Sequence, residues 1–238
     1  LHLMIEVKKL AYADIERYFG DPERGDIPLE VLLSKAYAAE RRGLIDMGTA
    51  AKQVDAGIPK HGDTAYMSVV DSEGNACSFI NSLYFPFGSG IVGGNTGVFL
   101  QSRGMGFSLE PGHFNEYAPG VRPFHTIIPG MVLRGDDLYM SYGVMGGPMQ
   151  PHGHVQFLTN HLDHGFSIQE AIDIPRFRHD SGLSVALETG MSAEVWEGLA
   201  GLGHELKTGE FSTMGGAQAV MVDGVTGVLY GASDPRKD

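Results

Sequence analysis

"HGDTAYMSVVDSEGNACSF", residues 61–79, decides how the rest of the chain is read. From Thr64 the pattern becomes β, and "TAYMSVVD" and "NACSFINSL" flank "SEG", which has the composition of a hairpin. A three-residue loop, Ser72-Glu73-Gly74, with glycine at the left-handed position pairs Asp71 with Asn75. Counting back along the ladder sets Thr64 opposite Ser82, on the same face, with Cβ atoms roughly 5 Å apart. A slip of one residue would set Leu83 there instead. The count therefore predicts two hydroxyls side by side at a strand start in the middle of a chain.

Working outward, residues 1–19 place Leu3, Val7, Leu10 and Ile15 near helical spacing, with charges between them. "GDPERGD" breaks that helix, and "PLEVLLSKAYAAERRGLIDM" predicts a second one from Pro28. A polar segment, 48–63, leads to the hairpin. The change of texture sets a boundary at Asp63/Thr64, with two helices and a linker in 1–63 and the strand-rich region in 64–238. Further strands are expected at 91–101, 126–133, 137–144, 184–188 and 217–222, and helices near 151–165, 167–174 and 191–203. Strands with helices on their faces imply a layered α/β or α+β sandwich.

The totals exclude some functions. The chain has 238 residues, 42% hydrophobic and 19% charged, enough for a core and too apolar for disorder. A formal net charge of -12 leaves no basic patch for nucleic acid or an anionic membrane surface. No apolar run approaches the roughly 18 residues of a membrane span. Cys77 is the one cysteine, so no disulfide framework or thiolate metal cluster is expected, and it reads as a small core residue. Leu1 opens in mid-helix without a cap or initiator Met, so the true N-terminus is expected upstream. With no signal-peptide pattern, a cytoplasmic location is favoured slightly over a periplasmic or secreted one, and the compartment stays open.

An internal threonine at a strand start is by itself ordinary, since β-branched residues favour strands. Taken together, "GDTAYMSVVDSEGN", "FGSGIVGGNTGVFL", "RPFHTIIP", "GVMGGPMQPHGH", "AIDIPRFRH" and "LYGASDPR" resemble the γ-glutamyltransferase family of N-terminal-nucleophile hydrolases. "IEVKKLAYADIERYFGDP" and "LLSKAYAAERRGLID" resemble the end of that family's large subunit. The resemblance implies an α+β fold, a four-layer αββα sandwich, made as a precursor that cuts itself before one threonine. The matching bond is Asp63-Thr64. Thr64 would then be the nucleophile and Ser82, a Ser where better-known members have Thr, the hydroxyl that orients it. Gly146-Gly147 matches the family's glycine-pair loop, whose two N–H groups form an oxyanion hole. The implied partners are a small-molecule amide substrate and the large-subunit segment of the same precursor, with homo- or heterodimeric assembly open. No cofactor and no metal is expected.

The logic of the threonine stands on its own chemistry. A threonine hydroxyl needs a base within hydrogen-bond reach. An α-amine on the same residue, with a reference pKa of about 7.7–8.0, suits that task, but has no such basicity while it is an amide. Chain cleavage and activation are one event.

The chain departs from the transferases where they hold substrate. The Gln and Asp that grip the α-amino group fall here on Arg103 and Gly106, and the serine pair for the α-carboxylate falls on His125-Thr126. Tyr84 stands where the transferases commonly have Asn. These features look more like the cephalosporin-acylase-like and oxamate-amidohydrolase-like branch. Arg103 and His125 would suit an anionic acyl group, with Arg as a bidentate clamp; a structural pairing of Arg103 with a carboxylate is the equal alternative. Two other readings stay open: a glutathione-using γ-glutamyl transferase, and a member that never cleaves.

Other signals are weaker. His152, His154, His161 and His164 lack a zinc signature and read as capping and surface residues, with His152 a candidate pocket residue beside the glycine pair. "GIVGGNTG" has neither Walker nor Rossmann spacing. Arg176, Arg178, Asp234 and Arg236 are expected to form structural ion pairs, and Trp196 to pack on an amphipathic helix.

Overall fold

The computed structural model describes residues 1–52 and 63–237. Residues 53–62 of the expected linker lie outside that set. The hairpin forms from β1 (Asp63–Val70) and β2 (Ala76–Tyr84), antiparallel, in register from Val70↔Ala76 to Ala65↔Asn81. The Asp71 N–H donates to Asn75 O at 3.0 Å, and Gly74 takes φ 84, so the loop is the expected one. The Asp71 carboxylate sets the turn by accepting from the Glu73 and Asn75 N–H groups, each at 2.9 Å. The register then shifts between Asp63 and Ala65, where Asp63 pairs with Tyr84. Such a bulge re-aims side chains at the end of a ladder, and Thr64 sits on it.

The described residues fall into two units, one formed by Lys60–Ser102, Thr126–Arg178 and Gly209–Asp238, the other by Leu1–Pro59, Arg103–His125 and His179–Thr208. In the first, β3 (Pro129–Arg134), β4 (Asp137–Met145), β8 (Gly216–Val222) and β9 (Leu229–Ser233) make an antiparallel sheet in the order β3-β4-β8-β9. The inward side of the hairpin lies on β4. The Tyr66 ring covers Gly143, where a Cβ would come within 2.3 Å of a ring carbon, so only glycine lets the layers approach. Ser68 and Ser78 donate to the carbonyls of Ser141 and Tyr142 at 3.0 and 3.2 Å.

On the sheet's other face, Met140, Tyr142, Val144, Ala217, Ala219 and Ala232 form one core with Phe157, Ile168, Ala171 and Ile172. The last four come from α4 (Gln150–Leu158) and α5 (Ile168–Asp173), the latter opened by a Ser167/Glu170 capping box. Gly153 brings α4 down onto Val144, whose Cγ1 would be 2.5 Å from an added Cβ. This unit by itself supplies three layers in the order α, β, β. At its end Asp234, fully buried, takes Arg176 at 2.7 Å, Arg236 at 3.1 Å and the Ala217 N–H at 2.7 Å. The expected ion pairs of Arg176, Asp234 and Arg236 are present. The guanidinium of Arg178 donates to Thr213 O.

The second unit contains α1 (His2–Tyr18), α2 (Leu29–Leu32), α3 (Lys35–Arg42), α6 (Ala193–Gly201) and the parallel pair β6 (Ser184–Leu187) and β7 (Glu205–Thr208). β5 (Phe177–Ser181) completes that sheet in the order β5-β6-β7 and carries the unit boundary. Trp196 on α6 is half-buried.

Several expectations need correction. The second helix is broken at Ser34, because its side chain caps Tyr37 N–H and starts α3 afresh. The buried residues of α1 are His2, Ile5, Glu6, Lys9, Leu10 and Tyr12, whereas Leu3 and Val7 are exposed; polar groups bury there because they pair. The strand expected at 91–101 is reduced to one bridge, Val92↔Phe99, since Gly90, Gly94 and Gly97 at positive φ turn the chain repeatedly. Cys77 is exposed, not core: it lies on the outward side of the hairpin beside Val69 and Phe79. The expected helix 151–165 is α-helical only to Leu158, and Thr159–Asp163 widen into a π turn.

Candidate active site

Thr64 is 8% exposed, and its Oγ1 donates to Ser82 Oγ at 3.1 Å. The ladder brings them together as the residue count requires, although the bulge means that they meet through side chains at its last step. Ser82 Oγ also accepts the Tyr84 N–H at 3.0 Å. Tyr84 is buried and sits at φ 77, the left-handed region that a bulky residue enters only under constraint.

Gly146 and Gly147 follow β4 directly and take φ 127 and 56, conformations closed to most side chains. A Cβ on Gly146 would also lie 3.0 Å from Gly215 Cα. The pair therefore turns the chain tightly into the 3-10 turn Gly147–Met149 and then α4. Thr126, half-buried, belongs to the same unit. Two residues on, the Ile128 N–H donates to Gln150 Oε1 at 3.1 Å, and the buried His154 ring bonds the Ile128 backbone. Burial pushes His154 down to about 4, so it is neutral at ordinary pH.

Arg103 and His125 belong to the other unit. Arg103 opens a 3-10 turn, Arg103–Gly106, and is buried. Asn115, also buried, joins the two segments: its Nδ2 donates to Gly106 O at 2.8 Å and its Oδ1 accepts the Phe124 N–H at 3.0 Å. The His125 pKa is lowered, first by loss of solvent around the ring and then by the Arg103 charge. The two groups expected to act on an anion are thus electrostatically in reach of each other. The sequence reading missed Asn115, Gln150 and Ser102; Gln150 stands within "GVMGGPMQPHGH" but was passed over for the glycines, and the signal of each is a long-range bond to backbone.

The histidine cluster divides. His152 and His154 are buried, which corrects their reading as surface residues: α4 presents them inward, and His152 stacks on Phe177 while His154 meets Tyr142 edge-on. His161 bonds Tyr139 Oη at 2.6 Å and Phe166 O at 2.7 Å. His2, Glu6 and His204, in the second unit, also bring three buried ligand-type groups together. Their ring nitrogens, His2 Nδ1 and His204 Nε2, are 2.8 Å apart, the length of a hydrogen bond, and His2 Nε2 faces Asp46 O at 2.9 Å. The Lys9 ammonium lies 2.7 Å from Glu6 Oε1, where a bound cation would compete with it. The group reads as a buried proton network.

Paired β layers under helices, with a hydroxyl pair where the first strand of the hairpin begins and the second ends, define an N-terminal-nucleophile hydrolase fold. The structure of a cephalosporin acylase from Bacillus halodurans is similar at a TM-score of 0.91 and 39% identity, over 99% of this chain and 43% of that one. The family profile described as Gamma-glutamyltranspeptidase matches residues 1–238. The chain belongs to that family. Among curated relatives, the glutathione hydrolase-like YwrD proenzyme of Bacillus subtilis is 39% identical, over 100% of this chain and 46% of its own length. The oxamate amidohydrolase proenzyme of Klebsiella pneumoniae is 35% identical over the same shares. The glutathione hydrolase proenzyme of Escherichia coli is 33% identical, over 99% of this chain and 43% of its own length. The chain thus spans somewhat under half the length of these relatives.

Proposed function

We propose that this chain carries the catalytic portion of a self-processing amidohydrolase whose nucleophile is Thr64. In the precursor, Thr64 Oγ1 attacks the Asp63 carbonyl carbon, the acyl group shifts from nitrogen to oxygen, and water hydrolyses the ester. The products are an Asp63 carboxylate and a free Thr64 α-amine. In turnover that amine takes the hydroxyl proton as Thr64 Oγ1 attacks an amide carbonyl, and returns it to the departing amine. Water then releases the acyl group from Thr64. Ser82 orients the attacking hydroxyl, and the Gly146 and Gly147 N–H groups stabilise the oxyanion. The 3.1 Å Thr64–Ser82 contact at the ladder break carries this reading.

For the substrate we propose an amide with an anionic acyl group, bound through Arg103, His125, Thr126 and Tyr84. The support is chemical: a buried guanidinium repels the ammonium of a γ-glutamyl group and suits a carboxylate, and Gly106 offers no carboxylate. Two relatives named for glutathione hydrolysis favour a γ-glutamyl donor as the second reading. On either reading the upstream segment of the same precursor remains as partner. Intact mass and N-terminal sequencing of the purified protein test the proposal. A fragment that starts Thr64-Ala65-Tyr66 is expected; active protein with an unbroken Asp63-Thr64 bond overturns it. Glutaryl and oxamate amides assayed beside a γ-glutamyl anilide decide between the acyl groups.

A further inference from the structure

Tyr84 is the point at which the candidate site stores backbone strain. It is 6% exposed, bulky, and held at φ 77. A non-glycine residue in that region is strained and persists only where neighbours over-determine it. Its N–H, which lies in the plane of the Leu83–Tyr84 peptide, donates to Ser82 Oγ, 3.0 Å away, the same oxygen that accepts the Thr64 hydroxyl.

The constraint comes from a residue 18 positions further on. Ser102 grips the peptides on both sides of Tyr84. Its N–H donates to Leu83 O at 2.9 Å, and its Oγ donates to the same carbonyl at 3.1 Å. The same Oγ accepts the Phe85 N–H at 3.3 Å. With Leu83 O and Phe85 N both fixed to one residue, the chain between them is confined to a kink.

We infer that Ser102 is a positioning residue for the threonine: by clamping Leu83 O and the Phe85 N–H it fixes the Leu83–Tyr84 peptide, whose N–H holds the Ser82 oxygen against which Thr64 is aligned, and confines Tyr84 to the left-handed conformation. The series runs Ser102, the peptides flanking Tyr84, Ser82, Thr64, every link a hydrogen bond within one unit. Ser102 touches neither the nucleophile nor, on this account, the substrate. The inference rests on the reading of Thr64 as nucleophile.

The test compares Ser102→Ala with Ser102→Thr and Thr64→Ala in the purified protein, with two readouts. Amide hydrogen exchange at Phe85 reports the clamp whatever the chemistry, and steady-state kinetics on an amide substrate report alignment. Ser102→Ala is expected to expose the Phe85 amide and to lower kcat roughly 10- to 100-fold with KM within about 2-fold, the scale on which slight misplacement of a reacting group acts. Ser102→Thr, which keeps the hydroxyl, is expected to restore both. Should the alanine variant fail to fold, Ser102→Cys keeps the size, weakens both side-chain bonds and repeats the comparison. Unchanged Phe85 exchange overturns the clamp. Lost protection with unchanged kcat, while Thr64→Ala is inactive, overturns the link to the threonine and leaves the proposed function standing. Turnover by Thr64→Ala overturns the proposed function, and the inference with it.

Discussion

The hydroxyl pair, Thr64 and Ser82, and the pair Arg103 and His125 are held by different kinds of structure. Thr64 and Ser82 sit at the end of a hairpin whose ladder runs uninterrupted from Val70↔Ala76 to Ala65↔Asn81. Arg103 and His125 sit on irregular segments, joined through the two amide bonds of one side chain, Asn115. A ladder fixes its members by many backbone bonds, and a single substitution barely moves it. Irregular segments tied by a few side-chain and backbone bonds can be re-aimed at less cost than a ladder. The difference matches the division of labour proposed above, with bond cleavage on the rigid element and acyl-group choice on the adjustable one.

The sharpest way to break that comparison is Thr64→Ala. It removes both the attacking oxygen of self-cleavage and the nucleophile of turnover, so a single intact polypeptide with no measurable hydrolysis is expected. Normal turnover in that variant would strip the hairpin of its role. Arg103→Gln comes next. Loss of a charge-assisted contact should raise KM for anionic acyl amides roughly 10- to 100-fold, with little change for a neutral anilide. Equal effects on both substrates would return Arg103 to a structural part. Asn115→Ala is expected to do less: KM for anionic amides should rise roughly 3- to 10-fold at near-constant kcat, and stability should fall by about 1–3 kcal/mol because the Gly106 and Phe124 backbone groups lose their buried partner. A fall in kcat alone would mean that the segment serves the chemistry rather than binding.

What could be read from the sequence follows the same line. The register of β1 and β2 was legible because a loop of known length and one glycine fix every later pair. The kink at Tyr84, just beyond the break, was not, because Ser102 grips Leu83 and Phe85 across 19 and 17 residues and nothing local announces such bonds. Gly146-Gly147 was legible through its motif and its demand for positive φ. The buried face of α1 was misread, since apolar spacing pointed to Leu3 and Val7 while Glu6 and Lys9 go inside as an ion pair and His2 goes inside by bonding His204 and the Asp46 carbonyl. Cys77 misled for the opposite reason: alternation tells which residues share a face, but not which face is covered, and the side with Val69, Cys77 and Phe79 is open.

The smallest effect at neutral pH, and the one that separates the two units most cleanly, concerns the buried histidines. In the first unit His154 is pushed down to about 4 by burial. In the second, His179 and His204 are each pushed down to about 4, by burial and then by the nearby charges of Lys8 and Lys9 respectively. A histidine that titrates near 6.5 when unfolded and near 4 when folded binds its proton first in the unfolded state. Its contribution to stability is therefore full above about pH 6.5 and is lost as the pH falls toward 4, by up to ~3 kcal/mol for a well-buried ring. His154→Gln removes that titration and leaves an amide to bond the Ile128 backbone. Its unfolding midpoint at pH 7.5 should lie close to that of the parent protein, and its loss between pH 7.5 and 5 should be smaller. The same substitution at His204 should also blunt the acid loss, but should lower stability at pH 7.5, because it breaks the bond to His2. An acid response that His154→Gln leaves unchanged would assign the whole window to the lysine-flanked pair in the second unit.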